Sequence, residues 1–198
     1  MSELYIGLMS GTSLDAIDAV LVDFAGSMRL LGTHSIPMAA DLRNRLSELC
    51  RSGPDEIDRL GKLDVEMGEL FAQAALGVLS RSGHSATEIR AIGSHGQTVR
   101  HRPHVAPGFT LQIGNLPMIQ DLVNQTIVCD FRVQDVQLGG QGAPLVPIGD
   151  ELLFSQYDYC LNLGGFSNVS FNENEKRIAF DISPVNTVLN FYANELGF

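Results

Sequence analysis

The sequence predicts a layered α/β fold, and three features carry that reading. Three short apolar runs separated by turns fill the first 37 residues, the hydrophobic period then lengthens to a helical one, and the rest alternates strand-like and helix-like segments. The runs are Leu4 to Met9, Ala16 to Phe24 and Met28 to Pro37. The first two are joined by Ser10-Gly11-Thr12-Ser13-Leu14-Asp15, and Gly26 marks the second turn. From Ala40 to Arg51, Leu42, Leu46 and Leu49 recur at helical spacing. Pro54 then opens a longer helix, with Asp55 and Glu56 in the first turn, where negative charge suits the helix dipole. Ile57, Leu60, Leu63, Met67, Leu70, Phe71 and Ala74 give it an apolar face to about Leu79, across Gly61 and Gly68. Ser82-Gly83 ends it, and Ser85 with Glu88 has capping-box spacing for a very short turn.

Arg90 to Gly93 reads as a buried strand that feeds a polar loop, Ser94-His95-Gly96-Gln97-Thr98. Phe109 to Ile113 and Thr126 to Cys129 are further strands, with a short helix over Asn115 to Val123 between them. A glycine-rich loop over Gly139 to Pro144 precedes a helix over Ile148 to Phe154. Tyr159 to Leu163, Ser167 to Phe171 and Arg177 to Phe180 are strands, and Val185 to Leu196 is helical. The hairpin after Tyr157 is a fresh start, so a domain boundary is expected near residue 155. A second unit of only 156–198 is too short for a core of its own, so the 198 residues are expected to be part of a longer chain.

Composition narrows the function classes. Hydrophobic content of 44% with 18% charged residues suits a globular chain rather than a disordered one. A net charge of −10 opposes nonspecific binding to nucleic acid or to an anionic membrane, so neither is expected as a partner. Cys50, Cys129 and Cys160 are widely spaced, odd in number and form no CxxC, which argues against a disulfide framework and for a reducing compartment. The N-terminus lacks a basic segment and its apolar run breaks at Ser10, unlike a signal peptide. No apolar run approaches the roughly 20 residues of a membrane span. A cytoplasmic location is expected.

Five polar constellations are candidates for chemistry. The Ser10 to Asp15 turn combines a glycine, hydroxyls and a carboxylate, which suits a phosphate and its magnesium; it is equally an ordinary hairpin turn. It is neither a P-loop nor a dinucleotide fingerprint. In the second, after a buried strand, His95, Gln97 and Thr98 can donate to a polyhydroxylated ligand or simply cap their own turn. His101 and His104 extend that run, but the spacing matches no closed zinc site, and both read as exposed loop residues beside Arg100 and Arg102. In the third, Asp130-Phe131-Arg132 with Gln134-Asp135 and the GGQGAP loop, Arg132 can clamp a carboxylate or phosphate, or pair with an aspartate structurally. The fourth, Asn162 to Asn168, is a hairpin with Gly164-Gly165 at its tip, either a second phosphate clamp or a plain turn. In the fifth, Asp181 ends a strand just before a helix, placed for general-base work or for capping.

Taken together and in order, the SGTSLD turn, the GSHGQT loop, the DFR…GGQGAPLVP segment, the NLGGFSN hairpin and the FD-x-x-P-x-N turn resemble the anhydro-N-acetylmuramic acid kinase family over essentially the whole chain. The resemblance implies a ribonuclease-H-like, actin/hexokinase-type ATPase domain with a mixed sheet and flanking helices over residues 1–155, and the start of a second similar domain over residues 156–198. It implies ATP and Mg²⁺ as cofactors and anhydro-N-acetylmuramic acid as substrate. The implied reaction is opening of the 1,6-anhydro bond by water with phosphoryl transfer to O6, giving N-acetylmuramic acid 6-phosphate in cell-wall recycling; homodimerisation is left open. By the same resemblance Gly11, Thr12, Ser13, Leu14, Asp15, Ala16, Ile17 and Asp18 form the first phosphate loop and Gly164 and Gly165 the second. Asp181 is the catalytic carboxylate. Thr98 falls at a sugar-contacting position; His95, Gln97, Arg132 and Gln134 are the further sugar candidates from their residue types and places, and Asp15 is the candidate for holding magnesium through water. The sequence departs from the family at Gln134, where many members carry arginine, and at Ser183-Pro184-Val185-Asn186, where they carry Gly-Pro-Gly-Asn. Members are also nearly twice as long, the remainder carrying an adenosine-binding segment, so the chain alone is expected to bind ATP poorly. The competing readings are a non-catalytic sugar-binding or scaffolding descendant and a kinase for a different anhydro-sugar.

Overall fold

The computed structural model describes residues 2–197. Its first unit is built on a mixed sheet. Alternating burial along β1 (Leu4–Ser10) and β2 (Ala16–Asp23) places Leu4, Ile6, Leu8, Ile17, Ala19 and Leu21 on one covered face. The two strands form an antiparallel hairpin, from Leu4 opposite Asp23 to Ser10 opposite Ile17, and β3 (Arg29–Pro37) extends it on the far side of β2. α1 (Ala40–Leu49) buries Leu42, Leu46 and Leu49, and α2 (Glu56–Ser82) buries Leu63, Met67, Phe71, Ala74, Ala75 and Val78 against the sheet. Asp55 takes a left-handed conformation (φ 52°), so Pro54 lies outside the helix that it was expected to open. Gly83 closes α2 in the left-handed conformation, and Ser85 and Glu88 cap the 3₁₀ turn Ala86–Glu88 reciprocally.

Gly68 has a packing reason that local propensity does not show. A Cβ there would lie 2.7 Å from Asn115 Cβ and 3.1 Å from the Asn115 carbonyl oxygen. The residue lets the start of another helix sit directly on α2. Asp64, one turn earlier on α2, accepts hydrogen bonds from the backbone N–H groups of Gly114 (2.7 Å) and Asn115 (2.9 Å) and fastens that contact.

β4 (Ile89–Ser94) pairs with β1 in parallel, and β5 (Gln97–Arg102) folds back on β6 (Phe109–Ile113) as a separate antiparallel ribbon. α3 (Leu116–Val123) follows, with the Asn115 side chain accepting from the Met118 N–H at its start. β7 (Ile127–Val128) then pairs in parallel with β4. The sheet order is β3-β2-β1-β4-β7, antiparallel on one side of β1 and parallel on the other. The molecule is thus an α/β protein with a mixed sheet and flanking helices.

Residues 97–102 correct the loop reading of this region. His101 is half-buried in β5, with Nδ1 3.1 Å from Thr110 Oγ1. Arg100 is drawn inward, donating to the Leu49 carbonyl at 2.6 Å and pairing with Glu56 at 2.7 Å. His104 is exposed.

A second compact unit comprises Pro103–Gly108 and the chain from Phe131 onward. It contains α4 (Val133–Gln137), α5 (Pro147–Leu153), the meander β8 (Tyr159–Leu163), β9 (Phe166–Glu173) and β10 (Lys176–Pro184), and α6 (Asn186–Glu195). α5 packs on β10, and Ser170 donates to the buried Asp150 carboxylate, with Arg177 Nη2 also donating to Ser170 Oγ at 2.8 Å. β10 runs past Asp181 to Pro184, so Asp181 lies within a strand rather than at its end. The register shifts between Asp181 and Ser183, opposite Asn168 and Ser167 respectively. A bulge of this kind bends the strand and re-aims the side chains beside it.

Candidate functional site

In the first unit the turn that joins β1 to β2 is built from within. The Leu14 N–H donates to the Gly11 carbonyl at 3.3 Å, and Leu14 takes a φ of 53°. Ser13 Oγ donates to Asp15 Oδ1 at 2.7 Å, and the Met38 N–H donates to the Asp15 carbonyl oxygen at 2.8 Å. Thr12 and Asp15 are exposed, whereas Gly11 and Ser13 are half-buried. Ala16, Ile17 and Asp18 belong to β2: Ile17 is in the core, and the Ser35 hydroxyl donates to the Asp18 carboxylate. A Cβ at Gly11 would meet nothing closer than Ser13 Oγ at 3.7 Å, an ordinary contact. Packing inside the protein therefore does not call for glycine here, and the space is open to an approaching group.

The second loop is joined to this turn. Ser10 Oγ donates to Gln97 Oε1 at 2.6 Å, and the two residues are 1% and 2% exposed. Gln97 Nε2 donates to the Thr98 carbonyl oxygen at 3.2 Å. His95 is buried; its N–H donates to the Leu8 carbonyl at 3.0 Å, and its Nδ1 lies 2.9 Å from the Gly96 carbonyl oxygen, which places the hydrogen on Nδ1. Thr98 is half-buried, opposite Gln112 across the ribbon, and its hydroxyl accepts from Gln112 Nε2 at 3.1 Å. Ser10, His95, Gln97 and Thr98 therefore gather at the ends of β1 and β4 and the start of β5. Sequence reasoning missed Gln112 and Thr110, because their relation to Thr98 exists only through the strand register.

In the second unit Arg132 Nη1 donates to the Gly142 carbonyl at 2.6 Å, and the Gly142 N–H donates to Asp135 Oδ2 at 2.6 Å. Burial pulls the Arg132 guanidinium pKa down, and the nearby Asp181 carboxylate opposes that shift. Asp181 and Arg132 are thus electrostatic neighbours. Gln134 is exposed on α4. Added Cβ atoms at Gly140 and Gly142 would collide with Asp135 and Val136, so those glycines serve the loop's own packing. At Gly164 a Cβ would make only ordinary contacts, the nearest at 3.5 Å. The carbonyls of Gly164 and Gly165 accept from the N–H groups of Asn186 (3.1 Å) and Val185 (2.9 Å), and Thr187 also donates to Gly165. The hairpin tip is thereby locked to the start of α6, and its carbonyls meet donors that a helix start leaves unpaired.

The donor set bears on the cofactors the sequence implies. Asp15 is a single exposed carboxylate whose Oδ1 is already engaged by Ser13. That suits a hydrated magnesium ion delivered with phosphate, not a cage of protein ligands. Among the described residues no three His, Cys, Asp or Glu side chains converge as a metal site, and no helix is long and apolar enough to cross a membrane. The three cysteines are free thiols, with burial pushing the Cys129 thiol up.

Sheet order and polar turns at strand ends define an α/β protein whose candidate ligand groups sit on connections between strands. The sequence profile of the family described as anhydro-N-acetylmuramic acid kinase matches residues 3–196. The chain is 48% identical to the anhydro-N-acetylmuramic acid kinase of Shewanella loihica, over 97% of this chain and 54% of that protein. It is 48% identical to the protein of the same name from Pseudomonas putida, over 94% of this chain and 52% of that one. A solved structure of a reductive activator for a corrinoid, iron-sulfur protein overlaps 92% of the chain at 14% identity with a TM-score of 0.48, too loosely to bear on the fold. The chain belongs to the anhydro-N-acetylmuramic acid kinase family, and it spans about half the length of the curated relatives it matches.

Proposed function

We propose that the chain supplies the phosphate turn, part of the sugar site and the general base of an ATP-dependent sugar kinase with an actin-like ATPase fold. In this reading the enzyme opens the 1,6-anhydro bond of anhydro-N-acetylmuramic acid and phosphorylates O6 in the cytoplasm. The observation that carries the reading is the family match over residues 3–196. The open space at Gly11 and Gly164, in contrast to the crowded Gly140 and Gly142, supports it, because it leaves two turns where a phosphate can approach backbone.

Each residue then has a task. The backbone N–H groups and hydroxyls of Gly11 to Ser13 donate to phosphate oxygens, and Leu14 bends the chain around them. Asp15 orients the water shell of the magnesium ion. MgATP, when bound, supplies the transferable phosphoryl group with its charge neutralised. In the first unit Thr98, Gln97 and His95 are the candidate sugar contacts, and in the second Arg132 and Gln134 are. Asp181 takes a proton from the attacking water, with the Arg132 guanidinium as its electrostatic neighbour.

The test is a coupled assay of ATP turnover with anhydro-N-acetylmuramic acid. It is run on the chain and on the chain joined to the remaining half of the Shewanella loihica relative. Sugar-dependent turnover by the joined protein, reduced at least about a hundredfold by Asp181→Asn, is the expected result. Undiminished turnover in that variant removes Asp181 as the base, and no phosphorylated sugar from either protein overturns the reading.

A further inference from the structure

Thr98 is held at two independent points. Gln97, itself tied to Ser10, grips its carbonyl oxygen at 3.2 Å. Gln112, on the neighbouring strand, reaches its hydroxyl at 3.1 Å. We propose that Gln112 is a positioning residue for sugar binding: it occupies the acceptor side of the Thr98 hydroxyl and so commits Thr98 to donate its hydrogen to an oxygen of the sugar. The role rests on the reading of Thr98 as a sugar contact.

The direction of each bond follows from the network. Thr110 Oγ1 has two other partners for its hydrogen, His101 Nδ1 at 3.1 Å and the Arg100 carbonyl at 3.5 Å, and with the hydrogen directed to either one the group that meets it from Gln112 at 2.8 Å is a donor. This sets the Gln112 carboxamide with Nε2 toward both threonines, and its two hydrogens are used, one for each. Thr98 Oγ1 therefore accepts, and a hydroxyl that accepts from an amide keeps its own hydrogen for another oxygen. The arrangement is not one that stability alone would choose. Gln112 Oε1 is buried with no partner, and a buried acceptor left unpaired is costly. Leucine at this position would remove that cost. Because Gln97 fixes the Thr98 backbone separately, loss of Gln112 frees the hydroxyl without displacing the residue.

A double-mutant cycle tests this. Affinity for anhydro-N-acetylmuramic acid is measured by calorimetry on the chain joined to the remaining half of the Shewanella loihica relative, for Thr98→Val, Gln112→Leu and the double variant, with melting temperatures alongside. Each single variant is expected to weaken binding about fivefold to tenfold, the worth of one neutral hydrogen bond. Gln112→Leu is expected to add nothing in the Thr98→Val background and not to lower the melting temperature. Gln112→Glu keeps the size but offers no amide hydrogens, so Thr98 turns to donate to it; the same loss is expected, and this variant carries the test if Gln112→Leu does not fold. Additive losses, or full affinity in either Gln112 variant while Thr98→Val binds weakly, overturn the positioning role alone. Full affinity in Thr98→Val, or no binding by the unsubstituted joined protein, overturns the sugar reading of Thr98 and this role with it.

Discussion

Gly61 and Gly68 stand two turns apart on the same helix, and alanine should have opposite effects at the two positions. At Gly61 an added Cβ meets nothing within 4 Å, so alanine brings only its helix propensity, a gain of about 1 kcal/mol. At Gly68 the same gain is set against a Cβ placed 2.7 Å from Asn115 Cβ, nearly 1 Å inside ordinary carbon contact. Asn115 cannot retreat freely. Asp64 holds its N–H at 2.9 Å and the N–H of Gly114 at 2.7 Å, and Asn115 in turn caps α3 through Met118. Overpacking costs about 1–3 kcal/mol, and loosening the cap and the carboxylate bonds adds about 1–2 kcal/mol. Gly68→Ala should therefore be less stable than the parent by about 1–4 kcal/mol, and less stable than Gly61→Ala by about 2–5 kcal/mol. Urea unfolding followed by circular dichroism reads the difference as a shift in midpoint. A midpoint for Gly68→Ala at or above that of Gly61→Ala would refute the packing argument.

Two serines make a similar contrast. Ser10→Ala leaves Gln97 Oε1 buried without its donor and should cost about 1–3 kcal/mol. Ser94→Ala deletes a buried hydroxyl that has no partner and should be neutral or stabilising by up to about 1 kcal/mol; equal losses in chemical denaturation would contradict both assignments. Asp23 gives a pH dependence. The Ala25 and Glu3 backbone N–H groups, then Arg29, hold its carboxyl at about 2, below the ordinary carboxylate value near 4. The stabilisation is present above about pH 4 and is lost as pH falls from about 4 to about 2. Asp23→Asn should flatten the stability profile in that window, and an unchanged slope would show that Asp23 does not carry it.

Much of the fold was legible where burial is one-sided or a cap is local. β1 and β2 alternate cleanly, α1 and α2 carry their leucines at helical spacing, and the capping box at Ser85 and Glu88 is complete within four residues. β5 was not legible. Its sequence, Gln97 to Arg102, is mostly polar, and its strand character comes from pairing with β6. α4, at five residues, is too short to show a period within a loop rich in glycine. The site residues of the two loops could be found from residue type and order, but the groups that hold them could not. Gln112 and Asp64 act on partners 14 and 50 residues away or more, and Asp181 owes its setting to a bulge that no periodicity records.

The parallel pairing of β1 with β4 has a consequence in time. Strand β1 is made before both of its neighbours, yet the second of them, beginning at Ile89, emerges only after the whole of β2, β3, α1 and α2. Closing a loop of that length costs about 2 kcal/mol more entropy than closing the hairpin between β1 and β2. The three-stranded meander and α2 should therefore assemble first, while β1 keeps an unpaired edge until β4 docks. During synthesis that edge, lined by Leu4, Ile6 and Leu8, is the segment of this unit most in need of protection from other chains.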